Sequence, residues 1–256
     1  MRIIENNKSI KENKRNLGEI IDFHLEPLLL DRRKNYQKIL ELCHVGKFLM
    51  LLNNDYKIFK VSEKPDFILN NSNELVGLEH QILVDDKSKE REGFFRNIFE
   101  LAELKLKEDK SLPNFLANCY IMPYANFKLK DKEELVAKIV NVVKKYVLTD
   151  ILDENPIIER IWKMPHSGIN ISENLGGWWQ KDLSNENLIN AIKKKEKLIS
   201  KYKNNAGEKQ WLLIVIGSNG ESSFLIDRNI EYKVESEFDK IFLLEDFNNN
   251  NLFEIK

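Results

Sequence analysis

The chain has 256 residues, 42% of them hydrophobic and 32% charged, and its 40 basic and 41 acidic residues leave a formal net charge of -1. That balance describes a folded chain long enough to bury a substantial core. It excludes a histone-like polycation, though a local basic patch can still steer a nucleic acid. Cys43 and Cys119 lie far apart in apolar surroundings and read as small buried hydrophobes. No cysteine or histidine pair has the spacing of a zinc site. The charged N-terminus is not followed by a long apolar run, and WLLIVIG at 211–217 falls well short of the roughly 20 residues that cross a bilayer. A soluble cytoplasmic protein with no membrane partner is expected.

In chain order, GEIIDFHLEPLLL is interrupted by Pro27 and reads as a short helix or irregular arm. From Tyr36 to Leu51, Ile39, Leu42, Cys43, Gly46 and Leu49 fall at helical spacing, with Gln37, Lys38, Glu41 and His44 on another face. Residues 56–84 alternate and read as two or three adjacent strands around a polar turn at 70–73. Phe94, Phe95, Ile98, Phe99, Ala102 and Leu106 form the apolar face of a helix over 89–107, and NFLANCYI at 114–121 suits a strand. The segment 131–147 opens on acids and closes on lysines, the order a helix dipole favours. Residues 150–182 are irregular, with short strands expected near 157–162 and 169–171. Helix resumes over 184–203, WLLIVIG is a candidate buried central strand, and FDKIFLL at 238–244 is the last strand. The whole reads as an α/β protein of one domain, residues 1–256, with core elements at about 36–119 and 184–246 and an excursion at about 120–182.

One constellation carries chemistry. Pro65-Asp66-Phe67 opens one strand, and Gly77-Leu78-Glu79-His80-Gln81 lies in the next. Residues two apart in a strand share a face, so Glu79 and Gln81 point one way and His80 the other. If the strands are neighbours, Asp66 lies near Glu79, and two carboxylates there are oxygen ligands suited to Mg²⁺ or Mn²⁺.

Pro-Asp, twelve intervening residues and Glu-x-Gln, followed by the 184–203 helix and the 211 strand, resemble the PD-(D/E)xK nuclease superfamily, the restriction-endonuclease-like fold. The resemblance spans about residues 36–107 and 184–246. It implies a mixed central sheet flanked by helices and metal-dependent phosphodiester hydrolysis of nucleic acid, DNA before RNA. Asp66 matches the first acid and Glu79 the second, with the His80 backbone carbonyl completing a metal site and Glu41 matching an extra helical acid. Gln81 stands where the family usually has lysine. An amide can dock a water but carries no charge, so a lysine from the 184–203 helix is expected to compensate, with Lys197 favoured.

Around that site, Lys193 and Lys194 are candidate phosphate contacts. Trp178 and Trp179 could stack on bases or plug the excursion onto the core. The side chain of His80 reads as packed, His166 as a loop residue at the surface, and His24 and His44 have no identifiable partner. Gln81 also admits a second reading, a catalytically inactive member of the fold that binds nucleic acid or protein. A second copy, or a partner protein of a mobile-element or defence system, fits either reading.

Overall fold

The computed structural model describes residues 2–4, 10–125, 127–177, 179–217, 220–246 and 251–256. In order, the elements are β1 (Arg2–Ile4), α1 (Ile10–Leu29), α2 (Tyr36–Leu52), β2 (Lys57–Val61), β3 (Phe67–Asn70), β4 (Leu75–Ile82), α3 (Asp86–Glu108), β5 (Phe115–Ile121) and α4 (Lys132–Thr149). They continue as β6 (Ile158–Pro165), β7 (Ile169–Asn174), β8 (Lys181–Asp182), α5 (Asn185–Glu196), α6 (Ile199–Ala206), β9 (Gln210–Ile216), β10 (Phe224–Leu225), β11 (Lys240–Glu245) and β12 (Asn251–Glu254). No described helix is long and apolar enough to cross a membrane.

The fold is mixed α/β with a large mixed sheet flanked by helices, as the sequence leads one to expect. The chain divides into two compact units, residues 1–84 with 180–256, and residues 85–179. The sequence leads one to expect a single domain with an excursion at about 120–182, whereas the second compact unit begins at Asp85 and includes α3 and β5. The apolar stripe of α3 and the alternation of β5 announce amphipathic elements. Neither pattern says which sheet they pack on.

The first unit is built on seven strands in the order β1-β12-β11-β9-β4-β3-β2. Strands β2, β3 and β4 form an antiparallel meander. Strand β9 lies parallel to both β4 and β11, and β12 and β1 close the far edge antiparallel. Every residue of β9 is buried, because both faces are covered. Leu213 and Val215 join Leu42, Val45 and Phe48 of α2 on one side. Leu212 and Ile214 join Leu188 and Ile192 of α5 and Tyr202 of α6 on the other.

Helix α1 is longer than the expected arm. Its stripe of Leu17, Ile20, Ile21, Leu25 and Leu28 packs on the α2 side of the core and outweighs Pro27, which sits in the last turn. Gly46 of α2 permits that packing, since a Cβ there would meet Ile21 at 2.4 Å. The helix expected over 184–203 is broken between α5 and α6. After Ile192 the chain runs KKKEK, which offers no apolar residue to continue the buried stripe. The break brings Ile199 and Tyr202 back into the core. Strands β1, β8, β10 and β12 are too short to announce themselves by pattern.

The second unit has three strands in the order β6-β5-β7. Phe115, Ala117 and Cys119 of β5 pack with Phe95 and Ile98 of α3 and Ile139 and Val143 of α4. Residues Leu116, Asn118 and Tyr120 alternate with them and are only half-buried.

Candidate functional site

The loop between β2 and β3 fixes the first acid. Ser62 donates its backbone N–H to the Asp66 carbonyl at 2.8 Å and its hydroxyl to the Pro65 carbonyl at 2.5 Å. Strand β3 pairs with β4 so that Phe67 faces Leu78. One step further along the antiparallel register sets Asp66 opposite Glu79. Asp66 Oδ2 then accepts the backbone N–H of His80 at 2.9 Å. Burial, followed by the charge of Glu79, pushes the Asp66 carboxyl up to about 6, with Glu41 adding to the rise. Two neighbouring carboxylates in a poorly solvated place resist full ionisation, and that is the electrostatic signature here.

Glu79 is 4% exposed. Its Oε1 lies 2.6 Å from the Lys195 ammonium, and its Oε2 is buried without a well-formed hydrogen bond, the Tyr202 hydroxyl standing beside the carboxylate. Gln81, two residues on, also buries its amide oxygen without a partner. Buried acceptors left unsatisfied are uncommon in folded proteins and call for an account. On α2, Glu41 accepts from Gln37 Nε2 at 3.0 Å and pairs with Lys38 Nζ at 2.7 Å. Lys38 Nζ also lies 3.6 Å from Asp66 Oδ1 and donates to the Ser62 carbonyl at 3.2 Å. Burial works to lower the Lys38 pKa, but Glu41, then Asp66 and Glu63, hold it above its usual value. Gln37, Glu41, Asp66, His80, Gln81 and Lys195 line one cavity of about 450 Å³. Tyr202 of α6 stands close to Glu79, and its phenol is pushed well up by burial and by that carboxylate.

The His80 side chain points to the other face. Its Nε2 lies 3.0 Å from Nδ1 of His44, with the rings stacked at 5.2 Å between centroids. His44 Nε2 lies 3.7 Å from Asp246 Oδ2, and Asp246 pairs with Lys47. Burial, then the charges of His44 and the nearby lysines, pulls the His80 imidazole down to about 3, so it is neutral. His44 thus has a partner that sequence reading missed, and His24 bonds the Ile58 carbonyl at 3.0 Å.

Among the expected site residues, Asp66, Gln81 and Glu41 line one cavity, and Glu79 lies buried beside it, paired with Lys195. Lys197 does not line it, being exposed at the C-terminal cap of α5. Lys193 and Lys194 are exposed along the same helix. Trp179 is 94% exposed, so it is not a plug, and Trp178 lies outside the described residues. His166 is exposed in its loop. The lysine at the carboxylates is Lys195, and the sequence held a signal for it. Lys195 falls three residues after Ile192 and seven after Leu188, hence on the buried face of α5. Among the described residues no three His, Cys, Asp or Glu side chains converge as a group able to hold a metal ion. The carboxylates come as a pair, with Lys38 bridging from Asp66 to Glu41. Chemically, this end of the sheet brings together paired acids, two buried oxygens without a well-formed hydrogen bond and two ammonium groups. No protein family, curated protein or solved structure matches the chain.

Proposed function

We propose that the first unit is a restriction-endonuclease-like, metal-dependent nuclease that hydrolyses phosphodiesters, with DNA as substrate. The observation that carries this reading is Asp66 set opposite Glu79 across β3 and β4, beside a cavity lined by Asp66 and by Lys195, whose ammonium pairs with Glu79. Helix α2 and the β2–β4 meander precede β9 in the chain, and β9 lies parallel to β4 in the same sheet, which supports the reading.

The donor set suits Mg²⁺ or Mn²⁺. Asp66, Glu79, the Gln81 amide oxygen and the His80 backbone carbonyl are hard oxygen donors, with Glu41 at the cavity wall. Mg²⁺ commonly takes only one or two carboxylates and keeps several waters. Bound there, the ion would polarise the phosphoryl oxygens and lower the pKa of a water.

The chain's own groups divide the remaining work. The His80 backbone N–H holds Asp66 in place. Gln81 docks a water through its amide. Lys195 supplies the positive charge that Gln81 lacks and steadies developing charge in a poorly solvated cavity. Lys38 offsets the charge of Asp66 and Glu41. With Mn²⁺ or Mg²⁺, wild type is expected to cut DNA and Asp66→Ala to lose cutting. Lys195→Ala should cut about a hundredfold more slowly, while Lys197→Ala should match wild type. Wild-type inactivity on single- and double-stranded DNA and RNA would contradict the reading.

One observation favours the alternative of an inactive nuclease fold that binds nucleic acid or protein. The Lys195 ammonium already occupies one oxygen of Glu79, and with Gln81 in place of lysine the site has no second amine of its own on β4. Under that alternative, Gln81→Lys would create cleavage where wild type has none.

A further inference from the structure

Two lysines meet the carboxylates of the first unit, and they are held differently. Lys38 Nζ is fixed from several sides, at 2.7 Å from Glu41 Oε2, 3.2 Å from the Ser62 carbonyl, 3.6 Å from Asp66 Oδ1 and 3.7 Å from Glu63 Oε1. Lys195 Nζ hydrogen-bonds Glu79 alone among the described residues, at 2.6 Å from Oε1. Its side chain is 26% exposed, and it belongs to the last turn of α5, just before the cap at Lys197. Lys195 also lines the cavity of about 450 Å³. A flexible aliphatic stem with one anchoring bond and open space beside it is free to turn away.

Glu79, by contrast, cannot stay without a cation. It is 4% exposed, and a buried carboxylate left unpaired is strongly destabilising. The oxygens around it exceed what one ammonium can meet. Glu79 Oε2 is buried without a well-formed hydrogen bond, the Tyr202 hydroxyl standing beside it. The Gln81 amide oxygen, on the same face of β4, is buried without a partner. The carboxylates of Asp66, Glu79 and Glu41 outnumber the ammonium groups of Lys38 and Lys195. A divalent ion, which gathers several oxygens at about 2.1 Å, meets that surplus better than an ammonium does.

We propose that Lys195 is a displaceable cation. It closes the metal site by occupying Glu79, and a divalent ion expels it into the cavity. This rests on the cation-site reading of Asp66 and Glu79 and adds its regulation. Without metal, the Lys195 pair neutralises Glu79 and ties α5 to β4. With metal, Glu79 is released to the ion, and the ammonium projects into the cavity, where it can meet an anionic substrate. The apparent metal affinity is then set by the fraction of molecules in which Lys195 has left Glu79. A pair formed in about nine molecules of ten weakens binding about tenfold relative to the bare site.

The test is Mn²⁺ titration followed by electron paramagnetic resonance, without nucleic acid, so that cleavage plays no part. Wild type is compared with Lys195→Met, which keeps the stem and loses the charge, and with Lys197→Met, which loses the same charge from an exposed neighbour. Lys195→Met is expected to bind Mn²⁺ about tenfold more tightly than wild type, and Lys197→Met to match wild type. A second measurement needs no substitution. With isotope-labelled lysine in the wild-type chain, the Lys195 ammonium should give an NMR signal while paired with Glu79 and lose it to solvent exchange as Mg²⁺ is added. Equal affinity in wild type and Lys195→Met, an equal gain in Lys197→Met, or a Lys195 signal unchanged at saturating Mg²⁺ would overturn the displacement and leave the cation site standing. No Mn²⁺ binding by any of the three proteins would overturn the cation site and the displacement with it.

Discussion

The two units place helices on sheets in different ways, and the difference decides where polar chemistry can sit. In the first, helices α1 and α2 and helices α5 and α6 enclose the sheet, so β9 is buried along its whole length. Its charged groups cluster toward one end of β3 and β4, where they arrive buried, close together and paired with lysine. In the second, the sheet is covered on one side and β5 alternates buried with half-buried residues. Its outward groups are half-buried or exposed. A closed sheet concentrates charge and shifts its titration, whereas an open sheet displays shape and rings.

The largest test of that contrast compares the central strands. Leu213→Ala in β9 removes a fully buried side chain and should cost about 2–5 kcal/mol in chemical denaturation. Leu116→Ala on the outward face of β5 should cost less than about 1 kcal/mol. Equal losses would break the comparison.

Next is the ion pair. Lys195→Ala leaves Glu79 buried beside Asp66 without its cation. Because the Lys195 side chain is about a quarter exposed, we expect a loss of about 1–3 kcal/mol rather than the full cost of a buried orphan charge. Adding Glu79→Gln should restore most of it in a double-mutant cycle. Additive losses would show that the pair is not coupled.

A smaller effect is pH dependence without metal. The folded Asp66 pKa of about 6 lies above its ordinary value of 3.8. The folded state then binds the proton more tightly than the unfolded state. The resulting stabilisation is complete below about pH 4 and is lost as pH rises through about 6. Asp66→Asn should remove this slope and be the more stable protein at pH 7 in EDTA. Parallel wild-type and variant profiles across that window would contradict the assignment.

Much of the pair was legible in the sequence because it is local. A short turn joins β3 to β4, so strand alternation alone sets Asp66 opposite Glu79 and turns Gln81 the same way. The stripe of α1 was equally present at helical spacing, and Pro27 obscured it. Lys195 was harder to see. Its spacing from Leu188 and Ile192 puts it on the buried face of α5, but the packing that brings that face to Glu79 is not revealed by a run of lysines. The boundary at Asp85 was not legible either, since amphipathic α3 and β5 would fit one sheet as well as another.

The central claim is that the buried oxygens of Glu79 and Gln81, with Asp66, form a cation site. Mn²⁺ titration followed by electron paramagnetic resonance tests it without any substrate. Wild type is expected to bind Mn²⁺ and to melt at a higher temperature as the ion is added, and Glu79→Gln should lose both effects. Identical Mn²⁺ binding by wild type and Glu79→Gln, or none by wild type at millimolar ion, would contradict the account.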